Sequence, residues 1–229
     1  MKTKYIITIL ILCILIAVGA AYLWINQSNP TKTTIGSNGK GYVIKEVYSF
    51  PGSSGPKIAI ITGMHSRELS AKYVVPEVIR DYAFAHHVDI VNYQIDVTDD
   101  PTDFTIGRAN GESLVAQYVI PDIAKSNYSL VIICHDHRMG YGSGFYIATP
   151  TMDNKSVTLA EAVHNLLPSF NYYQRNVNET AIDTSINGVD YPIVNTGTPV
   201  FVYEAPEWLN DSDVYNNTYQ LINTCYKVI

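Results

Sequence analysis

Two histidines and a glutamate follow apolar runs that are typical of buried strands. The run KIAIIT (57–62) is followed by GMHSRELSA, which places His65 and Glu68 three residues apart. A second run, SLVIIC (129–134), leads directly into His135. Because ligand sites in α/β proteins open at the carboxyl ends of the strands, we expect these three side chains to converge. Two imidazoles and one carboxylate, with a fourth position left open, are a ligand set of catalytic zinc.

The third ligand has an alternative. His137 follows His135 by two residues and therefore shares its face of the strand, so either imidazole is a candidate. The first pair also has a purely structural interpretation, in which Ser66 or Glu68 caps the following helix and His65 has no role.

Glu204 ends a third apolar run, PVFVYE (199–204). If this strand reaches the same crevice, the carboxylate is placed to accept a proton from an attacking water. Burial raises the pKa of a carboxyl group, which brings it towards the range of a useful base. A structural salt bridge at the strand end is the alternative interpretation.

The elements that carry these residues alternate between strands and helices. Short apolar runs separated by helical patterns predict a largely parallel sheet covered on both faces, which is an α/β fold of three α/β/α layers. Pro76 and Pro121 lie inside helical patterns and predict kinks there. The predicted strands are 42–50, 57–63, 88–97, 129–135, 144–150 and 199–204, and the predicted helices are 68–86, 111–126, 157–167 and 213–229.

The order of these motifs resembles the zinc carboxypeptidase superfamily, which includes the aspartoacylase and succinylglutamate desuccinylase branch. The resemblance covers residues 57 to about 208 and rests on H65-S-R-E68, His135 and Glu204. It implies a three-layer sandwich with a mixed sheet. It also implies that His65, Glu68 and His135 bind one Zn²⁺ while Glu204 acts as the general base.

The resemblance also points to residues that contact substrate. Family members place an arginine between the H-x-x-E motif and the third ligand, and Arg108 with Asn110 occupies that interval. Arg108 is therefore expected to polarise the scissile carbonyl or to hold a substrate carboxylate; a surface ion pair is its alternative. A family tyrosine donates to substrate, and Tyr141, Tyr146 and Tyr203 are candidates for that role, of which we select Tyr203. Ile133 departs from the pattern, because an acid often stands two residues before the third ligand.

The N-terminal segment predicts a membrane anchor. Residues 5–25 carry no charge and are long enough to span a bilayer as a helix. Lys2 and Lys4 precede the run, which predicts a cytoplasmic N-terminus and an extracellular remainder, unless the segment is a cleaved signal peptide. The predicted organisation is a cytoplasmic tip and transmembrane anchor (1–25), a polar linker (26–41) and a catalytic domain (42–229). Six Asn-x-Ser/Thr motifs suit a glycoprotein.

Together these features predict a membrane-anchored, extracellular, zinc-dependent amidohydrolase. Its substrate is expected to be a peptide or an N-acyl amine, for which the cell envelope is a natural source. A net charge of −6 without a basic cluster argues against nucleic acid as a partner. The alternative is a non-catalytic cell-surface binding or adhesion domain that keeps the same fold.

Overall fold

Eight strands form one mixed sheet in the computed structural model, which describes residues 2–27, 30–176, 178 and 184–229. The strand order is β1-β2-β4-β3-β5-β8-β6-β7. The four central strands, β4, β3, β5 and β8, run parallel, whereas β2 and β6 pair antiparallel with β4 and β8. The strands are β1 (Thr31–Asn38), β2 (Gly41–Tyr48), β3 (Ile58–Thr62), β4 (Ile90–Val97), β5 (Leu130–His137), β6 (Tyr146–Thr149), β7 (Asn171–Gln174) and β8 (Val200–Pro206).

Helices cover both faces of this sheet, which confirms the predicted α/β layering. Alternate residues of β3 enter opposite cores: Ile58 and Ile60 pack with helices α2, α5 and α7, whereas Ala59 and Ile61 pack with α3 and α6. The helices of this unit are α2 (Val75–His86), α3 (Phe104–Leu114), α4 (Ile120–Ile123), α5 (Asn154–Leu166), α6 (Tyr191–Val194) and α7 (Asp211–Val228), and α1 (Lys2–Gln27) precedes them.

The predicted kinks take the form of widened helical turns. A proline has no N–H and clashes with the carbonyl four residues earlier, so a π-helical turn just before it relieves the clash without ending the helix. The described part of the chain has three such turns, and the sequence does not predict the third of them or α6. They are Ser70–Val74 before Pro76, Val115–Val119 before Pro121 and Ile186–Asp190 before Pro192.

The N-terminal predictions need correction. Met1–Pro30 and Thr31–Ile229 are two separate compact units. The predicted linker (26–41) overlaps β1, which pairs with β2 across a turn at Gly39 and Lys40. The predicted transmembrane span is not supported: within the residues that the structure describes, no helix combines the length and apolar character needed to cross a membrane. The glycosylation motifs at Asn26 and Asn178 extend outside the described residues.

Candidate metal centre

A sharp turn after β3 carries the H-x-x-E motif. Gly63 leaves the strand with φ of +72°, and a side chain there would meet the carbonyl oxygen of Ile95 at 2.5 Å, so glycine is required. The chain then folds back on itself, because the N–H of Glu68 donates to the carbonyl oxygen of His65 at 3.1 Å. The end of β3 and this turn place the side chains of His65 and Glu68 at the same edge of the sheet.

The structure brings His65, Glu68 and His135 together. The two carboxylate oxygens of Glu68 lie 2.8 Å from Nδ1 of His65 and 2.7 Å from Nδ1 of His135. The two imidazole rings are 4.4 Å apart between centroids. One candidate ligand atom from each residue lies within 4.8 Å of the others. The predicted ligand set is therefore assembled from the turn after β3 and from β5.

These three groups are electrostatically coupled. Burial opposes the ionisation of Glu68, but the charges and hydrogen bonds of His135 and His65 outweigh it and lower its pKa to about 2. Burial likewise opposes protonation of His135, and the carboxylate of Glu68 overrides it and raises its pKa to about 9. The carboxylate is therefore ionised and is held between two imidazoles.

This donor set fits a zinc ion. Nitrogen from imidazole and oxygen from a carboxylate are both zinc donors, and the pattern of two histidines and one glutamate is known in catalytic sites. All three residues line one cavity of about 620 Å³, which is large enough to admit a small molecule beside them. His65, Glu68 and His135 are thus the residues that would hold the metal.

Asp136 fixes the ligand turn (residues 63–68, which carry His65 and Glu68) against β5, a role that the sequence did not predict. Its carboxylate accepts the N–H groups of Ser70 at 2.7 Å and Ala71 at 2.9 Å, at the start of the helix that follows Glu68. Burial raises the pKa of Asp136 to about 7, although the hydrogen bond from Ser70 acts against it. An acid between two strand-terminal histidines was the available signal.

Glu204 lies beside the cluster on the neighbouring strand. It is in register with His135 in the parallel pair β5–β8, so the two side chains project from the same face, and both line the cavity. Burial, together with the nearby carboxylates of Glu68 and Asp136, raises the pKa of Glu204 to about 7 against the lowering effect of His135. A carboxyl group with that pKa exchanges protons readily near neutral pH.

Arg108 and Glu112 reach the same site from α3. Arg108 Nη1 lies 3.4 Å from His65 Nδ1, and its Nε donates to Glu112 at 3.1 Å. Glu112 Oε1 also lies 3.3 Å from His65 Nε2. Burial opposes ionisation of Glu112, yet hydrogen bonds from His65 and Thr184 and the charge of Arg108 lower its pKa. Arg108 is where the sequence predicts it, and its ion pair with Glu112 lies inside the site.

Comparison with solved structures identifies the fold of this chain. No family model matches the chain, and no curated protein is detectably similar. A candidate metallopeptidase from Shewanella denitrificans superposes with a TM-score of 0.59 and 12% identity, over 91% of this chain and 87% of its own. A metallo-carboxypeptidase from Burkholderia cenocepacia gives 0.58 and 11%, over 88% and 66%. The fold is that of the metallocarboxypeptidases.

A third structure with this carboxypeptidase-like fold is the product-bound cell shape determinant protein Csd4 from Helicobacter pylori. It superposes with a TM-score of 0.54 and 13% identity, over 81% of this chain but only 54% of its own. The resemblance expected from the sequence is thus confirmed for the fold. At such low identity, the chemistry of this chain rests on its own side chains.

His137 stands apart from the ligand cluster. Within the described part of the chain, the potential metal-binding group contains His135 and not His137. The imidazole of His137 instead donates from Nε2 to the carbonyl oxygen of Gly144 at 2.9 Å and packs against Tyr146 and Trp208. In this carboxypeptidase-like fold it anchors the loop between β5 and β6, so the structure favours His135 as the third ligand.

Two expected substrate contacts lie outside the cavity. Asn110 faces away from it and donates to the carbonyl oxygen of Asp99 at 3.0 Å. Tyr203 is fully buried on the opposite face of β8, where its hydroxyl pairs with that of Thr218 at 2.8 Å. The prediction that these two residues bind substrate is wrong. The side chain of Asn110 is bonded to Asp99, and Tyr203 points to the face of β8 opposite to Glu204 because alternate residues of a strand point to opposite faces.

Proposed function

We propose that this protein is a zinc-dependent metallopeptidase of the carboxypeptidase type, which hydrolyses an amide bond in a peptide or an N-acyl amine. One observation carries the proposal. The potential ligands His65, Glu68 and His135 share a cavity with Glu204, which is in register with His135 on the adjacent strand. A ligand set and a proton acceptor side by side are what metal-assisted hydrolysis requires.

Glu204 is assigned the proton transfers. A zinc ion, when bound, acts as a Lewis acid that lowers the pKa of water and polarises a carbonyl group. Glu204 accepts the proton of the attacking water and then delivers it to the nitrogen of the leaving amine. Its pKa of about 7 suits both steps, because a group that titrates near the working pH exchanges protons most efficiently in both directions.

We assign to Arg108 the role of binding the carbonyl oxygen of the scissile bond. Its guanidinium lines the cavity and lies beside His65, so it can donate hydrogen bonds to the scissile carbonyl as negative charge develops there. A permanent charge and a fixed planar array of donors suit that task and also suit a substrate carboxylate. In either case its charge contributes to binding without any proton transfer.

The residues that line the cavity favour a short, charged substrate. The exposed guanidinium groups of Arg67 and Arg138 line it, and Arg138 lies 5.7 Å from the centre of the Phe104 ring. Structures of the Helicobacter pylori neighbour were determined with a tripeptide and with product bound. These features favour small peptides that carry a free carboxylate, for which the cell envelope is the source that we propose.

The location of the protein stays a proposal. The uncharged run at residues 5–25 and the six glycosylation motifs are the sequence features that favour an exported, anchored enzyme. Fractionation of cells followed by N-terminal sequencing would test it. A soluble cytoplasmic pool that retains Met1 would contradict both export and anchoring.

The experiment that tests the activity compares the wild type with Glu204→Gln. We expect the purified wild type to hold one zinc and to cleave members of a panel of short peptides and N-acyl amino acids. The variant should fold and bind zinc but hydrolyse the same substrates about 10²–10⁴-fold more slowly. The matched control is Glu46→Gln, because Glu46 is a buried carboxylate of β2 that pairs with Asn92 and Lys32 and does not line the cavity.

Two results would overturn the proposal. Equal turnover of the wild type and Glu204→Gln would remove Glu204 from the mechanism. A wild type that binds zinc yet cleaves nothing on the panel would favour the non-catalytic binding domain.

A further inference from the structure

Helix α3 places a second carboxylate, that of Glu112, beside Nε2 of the candidate ligand His65. Glu112 has a side chain that is 11% exposed, and its Oε1 lies 3.3 Å from Nε2 of His65. The same oxygen accepts a hydrogen bond from Nε of Arg108 at 3.1 Å. One carboxylate oxygen therefore contacts both a candidate metal ligand and the candidate substrate-binding arginine.

The contact with Glu112 suits one tautomer of His65. Nδ1 faces Glu68 and lies on the side of the ring that the other ligands share, whereas Nε2 faces Glu112. A carboxylate only accepts hydrogen bonds, so Glu112 stabilises the tautomer of His65 that carries its proton on Nε2. That tautomer leaves the lone pair of Nδ1 free for a metal ion, and a ligand imidazole typically donates its other N–H in this way.

The carboxylate also balances charge. Arg108 Nη1 lies 3.4 Å from Nδ1 of His65, which brings a permanent cation close to the expected position of a divalent one. Two cations at such short range repel each other strongly where water is excluded. Glu112 contacts both Arg108 and His65, so its negative charge offsets the repulsion between the two cations without displacing Arg108.

A close helix approach makes this arrangement possible. Gly107 and Gly111 are four residues apart on α3 and face the ligand turn. A Cβ atom at Gly111 would lie 1.7 Å from the carbonyl oxygen of Met64, and one at Gly107 would lie 3.0 Å from the hydroxyl of Ser66. Each glycine directly precedes one of the two functional residues, Arg108 and Glu112, so the contact that needs glycine also delivers their side chains.

We propose that Glu112 is a positioning residue for the metal centre: it holds His65 in the tautomer and orientation that bind zinc and keeps Arg108 beside the metal. The inference rests on the proposed function, because it assumes that His65 binds the ion. It adds a residue outside the ligand set, supplied by a helix that lies between β4 and β5 in the chain.

The test measures zinc affinity of the full-length protein without any substrate, by competition with a chromophoric chelator. Glu112→Gln should bind zinc roughly 10–100-fold more weakly than the wild type, which is the usual effect of losing a partner that orients a metal ligand. Glu112→Asp keeps the charge but shortens the side chain, so it should retain part of the affinity. Glu46→Gln, which changes a buried acid that pairs with Asn92 and Lys32 and not with the ligands, should bind zinc like the wild type.

The outcomes separate this proposal from the proposed function. If Glu112→Gln binds zinc within about twofold of the wild type, Glu112 does not position the ligand and the inference is wrong. If Glu112→Gln and Glu46→Gln weaken zinc binding equally, the effect is general destabilisation, which also overturns it. A wild type without measurable zinc affinity would instead reject the proposed function at its root. Thermal melts of the metal-free variants show whether each compared protein is folded.

Discussion

Replacing Gly111 with alanine tests whether the approach of α3 builds the site. The added Cβ would lie 1.7 Å from the carbonyl oxygen of Met64 and 2.8 Å from its carbonyl carbon. Carbon and oxygen atoms need roughly 3.3 Å, so one backbone must move by about 1.5 Å. The contact joins a Cβ to main-chain atoms, and no change of rotamer can relieve it.

Two opposing effects determine the stability of Gly111→Ala. Alanine is favoured over glycine inside a helix by about 1 kcal/mol. Overpacking a fitted contact costs about 1–3 kcal/mol and more where the surroundings are rigid. Because the Cβ atom is fixed to the helix and meets main-chain atoms of Met64, we expect the clash to prevail and the free energy of unfolding to fall by up to about 2 kcal/mol. A displacement of about 1 Å at a catalytic site can reduce turnover by about 10²-fold, so activity should fall more than stability.

The assay combines urea unfolding, zinc affinity and turnover, with Gly188→Ala as the matched control. Gly188 is an exposed glycine in the third π-helical turn, and a Cβ there would meet no atom of the described residues within 4 Å. The control should be as stable as the wild type or slightly more so, and equally active. If Gly111→Ala behaves like Gly188→Ala in all three measurements, the close approach of α3 does not position Arg108 and Glu112.

Two further predictions concern the ligands and the general base. His65→Ala and His135→Ala should each abolish stoichiometric zinc binding, whereas His137→Ala should retain it; the reverse pattern for His135 and His137 would make the ligand assignment wrong. In metal-free protein, the raised pKa of Glu204 stabilises the fold at pH values below its ordinary pKa of 4.5, and this contribution is lost as the pH rises through about 7. Relative to Glu204→Gln, the wild type should therefore lose at most about 3 kcal/mol of unfolding free energy between pH 4.5 and 8. Denaturant unfolding in the presence of a chelator measures this, and a pH-independent difference would contradict it.

The ligand strands could be predicted because burial leaves a simple record in the sequence. β3 and β5 are buried on both faces, so each is an uninterrupted apolar run that ends in polar residues at the sheet edge. The position of His65 and His135 then follows from the parallel direction of the two strands. This part of the site depends on main-chain direction, which the pattern of apolar residues indicates reliably.

The edge of the sheet and the first half of α3 leave no such record. β1 is an exposed strand of small polar residues, and its composition is equally typical of a linker. The sequence predicts a helix that begins at Gly111, whereas α3 begins at Phe104 after the cap formed by Asp103. Because the predicted start lies inside the helix, the sequence pattern does not place Gly107 and Gly111 on one helix face and does not indicate a role for Glu112.

The error at Tyr203 shows where strand geometry outweighs a family resemblance. Adjacent residues of a strand point to opposite faces, so a Glu204 that faces the cavity forces Tyr203 into the core beneath the sheet. The same rule does not exclude His137, which shares the face of His135. The distance along the strand separates the two histidines. Two residues add about 6.6 Å, so the imidazole of His137 reaches Gly144 in the loop between β5 and β6 and not Glu68. The sequence therefore predicts which face of the sheet each side chain takes. Which histidine of β5 lies level with Glu68 depends instead on the path of the turn that begins at Gly63.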